Sequence, residues 1–467
     1  MRILPLLATS LLLQTVGAAS PDFSLVGFAT CDGGTTGGKG GQIVTPSTYA
    51  DLKKYAEDPS TPYVIRITKE FNSGLPVNVD DLGNIVASGG IASTYGDILK
   101  VGSNKTLVGI GSSAFLNRIG IVIQTKSNVV IRNIKFTMKN VPIERTDENK
   151  IVGWVNGTAK TLSDPDCIGI QADDTSVTAA DRKVRHIWID HCEFYNDDPA
   201  VMTDVDRYDG LTDGKNDASD ITVSWNYYHD HHKASLMGKG NSDDYDRHIT
   251  YSHNYFQNIA SRLPLIRFGK VHMLNNYMVT SENGTNARIN SDVYIEGNHY
   301  KDSKKPVFGK VSENGAATFV SNLWDACDRV PQIVLSQAAG ADVLSASEEV
   351  LVGTFKPSTF YSYKADAAAD VAGLVTTWAG VGKISTTEYD PSTGIAARGG
   401  SIAAAGSRSG RIWIAVPAGT PFRIADTRGR VVRSGFASGI EEELPGRMEP
   451  GTYVVNAGEL SRVVAVP

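Results

Sequence analysis

Two groups of residues in this sequence have types and spacing suited to chemistry. The first is cationic. The segment SRLPLIRFGK, Ser261 to Lys270, is mostly apolar and strand-like, yet it carries Arg262, Arg267 and Lys270 and no acidic residue. Buried positive charge needs an anionic partner, because an unpaired buried charge is costly. That partner is either a set of carboxylates elsewhere in the chain or an anion that binds. Arginine suits both, since its planar guanidinium takes a carboxylate through two hydrogen bonds. Arg262 and Arg267 are five residues apart, so an unbroken strand would send them to opposite faces. Pro264 and a chain corner can break that parity and bring both to one groove. A further cation, Lys233, sits in HDHHKASLMG inside an apolar-flanked strand and has the same need for an anion.

The second group is acidic. Asp164-Pro-Asp166 places two carboxylates on one face of a strand, because side chains alternate. The motif YDGLTD supplies Asp209 and Asp213, four residues apart. Clustered carboxylates repel one another unless a hard cation intervenes, and calcium takes 6–8 oxygen ligands of this kind. Calcium is therefore the preferred reading for the two spaced pairs, and a solvated acidic loop for Asp204 and Asp206. His229, His231 and His232 invite zinc, but no fourth ligand follows at a convincing spacing, so packed and hydrogen-bonded histidines are expected. His191 and Asp190, beside Trp188, read as internal, satisfied residues.

The elements that must position these residues announce themselves by repetition. A nine-residue pattern recurs as NVVIRNIKF, HIWIDHCEF, DITVSWNYY, HITYSHNYF, KVHMLNNYM, DVYIEGNHY and AATFVSNLW, starting at Asn128, His186, Asp220, His248, Lys270, Asp292 and Ala316. Alternation within each copy means strand. The last starts are 22, 22 and 24 residues apart, which suits one coil of a solenoid per copy, whereas a propeller blade needs about 40 residues. Asn226, Asn254, Asn276, Asn298 and Asn322 fill the seventh position of five successive copies. Stacked coils would set these amides in a hydrogen-bonded ladder, each at a bend suited to asparagine. A parallel β-helix is expected. The insertions fall in the longer gaps, 139–164 and 197–220, and long loops on one side of a solenoid usually build the binding face.

The formal charge of −6 argues against a nucleic-acid partner, and any anion site must be a local patch. The segment 1–19 reads as a secretory signal peptide, and no later segment offers the apolar length of a membrane span. A secreted protein is expected. Cys31, Cys167, Cys192 and Cys327 allow three disulfide pairings, with free buried thiols as the alternative. The β-helix domain is expected over 20–384, a linker over 385–410, and a small β-sandwich-like domain over 411–467.

Together, VRHIWIDHCEF, YDGLTD, ITVSWNYYHDHHKASLMG and RHITYSHNYFQNIASRLPLIRFGKVHMLNNYM resemble the family-one polysaccharide lyases, specifically pectate lyases. The segments GFATCDGGTTGGKGG, VGSNKTLVGIG and TFYSYKADAAADVAGLVTTWAGVGKI are also similar to that family. The resemblance spans about 23–384. It implies a right-handed parallel β-helix and calcium-dependent cleavage of de-esterified polygalacturonate by β-elimination, giving 4,5-unsaturated oligogalacturonides. By motif, Asp164, Asp166, Asp209 and Asp213 match the calcium ligands. Lys233 and Arg267 match residues that bind substrate carboxylates, and Lys215 aligns more loosely with a further one. Arg262 matches the arginine assigned as proton acceptor. Arginine is ordinarily protonated, so that role points to neighbouring cations and alkaline conditions. The C-terminal segment loosely resembles a bacterial C-terminal sorting module, which would make secretion machinery a partner. A monomer is expected.

Three other functions compete. A glycoside hydrolase on a similar solenoid would need a catalytic carboxylate pair. Asp173-Asp174 and Asp197-Asp198 are available, but the NTD, GDD and GHG motifs of such hydrolases are absent. A pectin lyase acting on esterified substrate would have replaced the calcium carboxylates. A non-catalytic polysaccharide-binding solenoid would leave Lys233, Arg262 and Arg267 unexplained.

Overall fold

A computed structural model of the chain describes residues 21–72, 97–139, 166–172, 178, 183–202, 205–206 and 208–384, short strands between 78 and 161, and most of 404–466. Asp164, the segment 1–19 and Asp173-Asp174 lie outside the described residues. The described residues fall into two compact units, one over 25–384 and the other over 404–466 together with 21–24.

The larger unit is a parallel β-helix. One sheet stacks 11 strands, all parallel, from Gln42–Val44 to Leu351–Val352. The recurring pattern supplies its middle strands: Val129–Arg132, Ile187–Asp190, Ile221–Ser224, His248–Ser252, Gly269–Leu274, Ser291–Glu296 and Ala316–Val320. Their register repeats coil on coil, so Ile221 faces Ile249 and Val223 faces Tyr251. Val271 and Met273 continue the two columns, then Val293 and Ile295, all buried. A 15-stranded sheet supplies the other two faces. They merge at Tyr277–Ala287, which is long enough to pair with Tyr255–Ser261 at one end and Leu265–Ile266 at the other.

The ninth pattern position forms an internal aromatic column. Phe136, Phe194, Tyr228 and Phe256 stack with centroid spacings of 5.1, 4.9 and 4.8 Å. These spacings match the separation of neighbouring strands, about 4.8 Å. The asparagine ladder also forms. Asn226 Nδ2 donates to Asn254 Oδ1 at 3.0 Å, and Asn254, Asn276 and Asn298 each donate to the next at 2.9, 2.9 and 3.1 Å. Each receiving oxygen also takes the backbone N–H of the preceding asparagine. The bend itself differs from expectation. The residue in the left-handed region is the one before each asparagine: Trp225, His253, Asn275, Gly297 and Ser321. The amides bridge coils rather than their own turns, because a buried carbonyl and N–H on adjacent coils must be satisfied.

All four cysteines are free thiols, three of them buried. Among the described residues no helix is long and apolar enough to cross a membrane. The smaller unit has two antiparallel sheets around Ile412, Phe422, Ile424, Tyr453, Val455, Val464 and Val466. Its first strand, Ala404–Arg408, falls inside the stretch read as linker. It pairs with Arg411–Ala415 across a two-residue connection, so its Ser, Gly and Ala content marks a hairpin arm there.

Candidate active site

Three carboxylates converge. Asp166 precedes the strand Ile168–Gln171, and Asp213 lies within the neighbouring strand Thr212–Lys215, where it pairs with Gly169. Asp209 lies just before that strand. One carboxylate oxygen from each of Asp166, Asp209 and Asp213 falls within 4.8 Å of the others. Backbone donors aim these groups: Gly210 N–H donates to Asp166 Oδ1 at 3.1 Å, and Leu236 N–H to Asp213 Oδ1 at 2.8 Å. The glycine of YDGLTD is required here. A Cβ at Gly210 would stand 2.1 Å from Asp213 Oδ1.

The electrostatics are those of crowded, buried carboxylates. Burial, then repulsion from Asp213 and Asp209, raises Asp166 well above the usual carboxylate range despite the pull of Lys215. Burial and Asp209 push Asp213 up to about 6, against Lys215 and Arg262. Asp213 Oδ2 is buried with no hydrogen-bond partner among the described residues. Clustered oxygens, mutual repulsion and an unsatisfied carboxylate oxygen fit a hard divalent cation. Asp164 lies outside the described residues.

The cations surround this cluster unequally. Lys215 Nζ donates to Asp166 Oδ2 at 3.1 Å. Burial opposes its charge, but Asp166, Asp213 and Asp209 together hold its pKa above the ordinary value. Lys233 ends the strand Tyr227–Lys233, buried, with Nζ 3.1 Å from Asp206 and 3.5 Å from Asp209. Asp206 is therefore not merely solvated, as its place in an acidic loop implied; it reaches back to the lysine. Arg262 takes a left-handed backbone at φ 64° immediately after Tyr255–Ser261, and Ser235 N–H holds its carbonyl at 2.9 Å. Arg267 follows Leu265–Ile266 and donates through Nη1 to the Gly238 carbonyl at 2.8 Å, leaving Nε without a partner among the described residues. Burial, then Arg288 and Arg262, lowers the Arg267 pKa.

The puzzle of the cationic segment resolves. Among the described residues, neither Arg262 nor Arg267 forms an ion pair with Asp166, Asp209 or Asp213. Lys270 pairs outward with Asp246 at 2.7 Å. Lys233 and Arg262 line one open groove of about 690 Å³ together with Asp206, His232, Glu282 and Lys304. Lys215 joins the carboxylate cluster. Arg267 stands against Gly238 instead of touching the aspartates.

The histidines serve as supports. His231 Nε2 donates to the Asp209 carbonyl at 2.7 Å, and burial pushes its pKa down to about 3, so it stays neutral. His232 Nε2 donates to the Met202 carbonyl. His229 stacks on Tyr227 and Tyr195. His191 Nδ1 bonds Asp190 at 2.6 Å, and Arg132 meets the same carboxylate at 2.7 Å, so both stay internal. The expectation of packed, hydrogen-bonded histidines holds for His231 and His232, but the partners were not named. Their hold on the 197–209 loop depends on where that loop folds back, which strand alternation does not encode.

Fold and site together define a polysaccharide lyase on a parallel β-helix. The pectate lyase family model matches residues 1–384, and the chain belongs to that family, whose members are enzymes that cleave pectate. It is 35% identical over 364 residues to the pectate trisaccharide-lyase of Bacillus licheniformis, covering 78% of this chain and 88% of the relative. It is 36% identical over 295 residues to pectate lyase A of Emericella nidulans, covering 62% and 72%. Among solved structures, a pectate lyase from Bacillus sp. N165 in complex with trigalacturonate aligns with a TM-score of 0.55 at 24% identity, over 77% of this chain and 99% of that one. A thermostable pectate lyase aligns with a TM-score of 0.57 at 22% identity, over 77% and 97%. These two share the fold.

Proposed function

We propose that this lyase is a secreted, calcium-dependent enzyme acting on polygalacturonate, with Arg262 as the proton acceptor. The observation that carries this reading is the meeting of Asp166, Asp209 and Asp213 oxygens within 4.8 Å, beside arginines that form no ion pair with a described aspartate of the cluster. Asp164 completes the proposed metal ligands by motif. Bound calcium would supply charge stabilisation for a uronate carboxylate as negative charge develops on it.

The chain's own residues do the rest. Lys233, Arg267 and Lys215 bind uronate carboxylates and fix the sugar over Arg262. Uronate binding to Lys233 takes over the place of the Asp206 carboxylate. Arg262 accepts the proton from C5; the C5–H electron pair forms the C4=C5 double bond. The C4–O bond breaks toward the departing oxygen, which takes a proton, and a 4,5-unsaturated end remains. The guanidinium must shed a proton before it can act, which favours alkaline conditions and the cationic company of Arg267. We assign 1–19 as the secretion signal and the small C-terminal unit, entered through the segment after 384, to sorting by secretion machinery. The enzyme acts as a monomer.

The test is product analysis on polygalacturonate by mass spectrometry and ultraviolet absorbance. Unsaturated ends that vanish with chelator and return with calcium support the reading. Saturated, hydrated ends would place the enzyme among hydrolases, and unchanged activity in chelator would remove calcium.

A further inference from the structure

Arg247 opens the motif RHITYSHNYF, where it was given no role, yet it is among the largest fully buried side chains of the molecule. It lies at the end of the loop that follows Leu236–Met237 and immediately before His248–Ser252. Its guanidinium reaches two coils at once. Nη1 donates to the Arg267 carbonyl at 2.8 Å, and Nη2 donates to the Asn216 carbonyl at 2.9 Å. Asn216 is the residue after Lys215. Nη1 also reaches the Tyr245 carbonyl at 3.5 Å, and Asp243 Oδ1 accepts from Nη2 in a wholly buried ion pair. Asp243 Oδ2 in turn takes the N–H of Asn216 at 3.1 Å and the N–H of Lys239 at 2.7 Å.

The strand that ends in Lys215, Thr212–Lys215, and the strand just before Arg267, Leu265–Ile266, are separated by Leu236–Met237 in the sheet. Two strand spacings make about 10 Å, which no direct contact between the two chain ends can span. The planar fork of one guanidinium bridges the two backbones instead, with each arm on a different carbonyl. Close approach of the backbone makes room: a Cβ at Gly238 would stand 2.7 Å from the Arg267 carbonyl and 3.1 Å from Arg247 Nη1, and a Cβ at Gly269 2.4 Å from the Arg247 carbonyl. Both glycines hold positive φ, 101° and 81°.

We propose that Arg247, clamped by Asp243, is a positioning residue that sets the separation of Lys215 and Arg267, and so the spacing of substrate carboxylates they accept. This rests on the substrate-binding roles given above to Lys215 and Arg267. A lysine at 247 keeps the charge for Asp243 but offers a point donor instead of a fork, so it cannot hold both carbonyls.

The test is a double-mutant cycle on the full chain with polygalacturonate, using Arg247→Lys, Arg267→Met and the pair, with Arg247→Gln as a second variant should Arg247→Lys fold poorly. Circular dichroism confirms folding of each. Arg247→Lys is expected to raise KM by about tenfold, the scale of losing one charge-assisted hydrogen bond, with kcat changed far less. Arg267→Met is expected to raise KM in the natural background and by a clearly smaller factor in the Arg247→Lys background. Additive effects, or a kcat loss with KM unchanged, would overturn the positioning role while leaving the substrate role of Arg267 intact. An Arg267→Met variant with unchanged KM would remove the substrate role itself and the positioning role with it.

Discussion

The Lys233 ammonium lies 3.1 Å from Asp206 Oδ1. Lys233 is buried while the Asp206 side chain is 47% exposed, so the carboxylate is the partner that can leave. A uronate carboxylate competing for Lys233 must displace it. Asp206→Asn is therefore expected to lower KM for polygalacturonate by a small factor with kcat unchanged. Lys233→Met is expected to reduce kcat/KM by about 10- to 100-fold, the range of a hydrogen bond to a charged group. Initial rates over a substrate series check both. A higher KM for Asp206→Asn would mean that Asp206 helps binding.

Arg262 touches none of the cluster aspartates, so its replacement should cost chemistry and leave the fold intact. Arg262→Lys is expected to lower kcat by about 10²–10⁴, as for loss of a positioned proton acceptor. The thermal midpoint should stay put. Stopped assays beside a melting curve provide the comparison, and a variant with wild-type turnover would strip Arg262 of its assigned role.

Glu313 gives a pH dependence away from the carboxylate cluster. Arg288, bonded at 2.5 and 2.8 Å, and then Lys310 at 2.9 Å hold its carboxyl down to about 2. A depressed carboxylate contributes stability that is complete above its unfolded value, about 4.3. That contribution is lost as pH falls from there through 2. Urea midpoints of the natural protein should drop across this window more steeply than those of Glu313→Gln. Parallel curves would show that the pair contributes nothing.

Asn276 is the middle of the ladder. It accepts from the backbone and side chain of Asn254 and donates to Tyr251 and Asn298. Asn276→Ala strands a buried N–H and a buried carbonyl, so a loss of about 2–4 kcal/mol is expected in denaturant unfolding. A loss below 1 kcal/mol, measured the same way, would contradict the ladder's role.

How much of this was legible follows from what repeats. The columns through Ile221, Ile249, Val271 and Val293 and the ladder through Asn254 and Asn276 recur at fixed register, so the sequence displays them without coordinates. Asp209 and Asp213 were legible because carboxylates so crowded within one motif need an explanation. Arg262 and Arg267 were legible as cations in need of anions, but not by their separate surroundings, Arg262 lining the groove and Arg267 held against the Gly238 carbonyl. The tie of Asp206 to Lys233, the partner of His231 and the bridging contacts of Arg247 escaped. Each acts by where a loop folds back onto a neighbouring coil, and such non-repeating contacts leave no period to read.

The most direct measurement is the rate of unsaturated product formation from polygalacturonate against free calcium, for the natural protein and Asp213→Asn. The account predicts a saturable calcium dependence for the natural protein. For Asp213→Asn it predicts a shift to at least tenfold higher calcium, on the scale of a hydrogen bond between charged groups. Identical calcium curves for the two proteins would contradict the claim that Asp166, Asp209 and Asp213 hold the metal that serves the reaction.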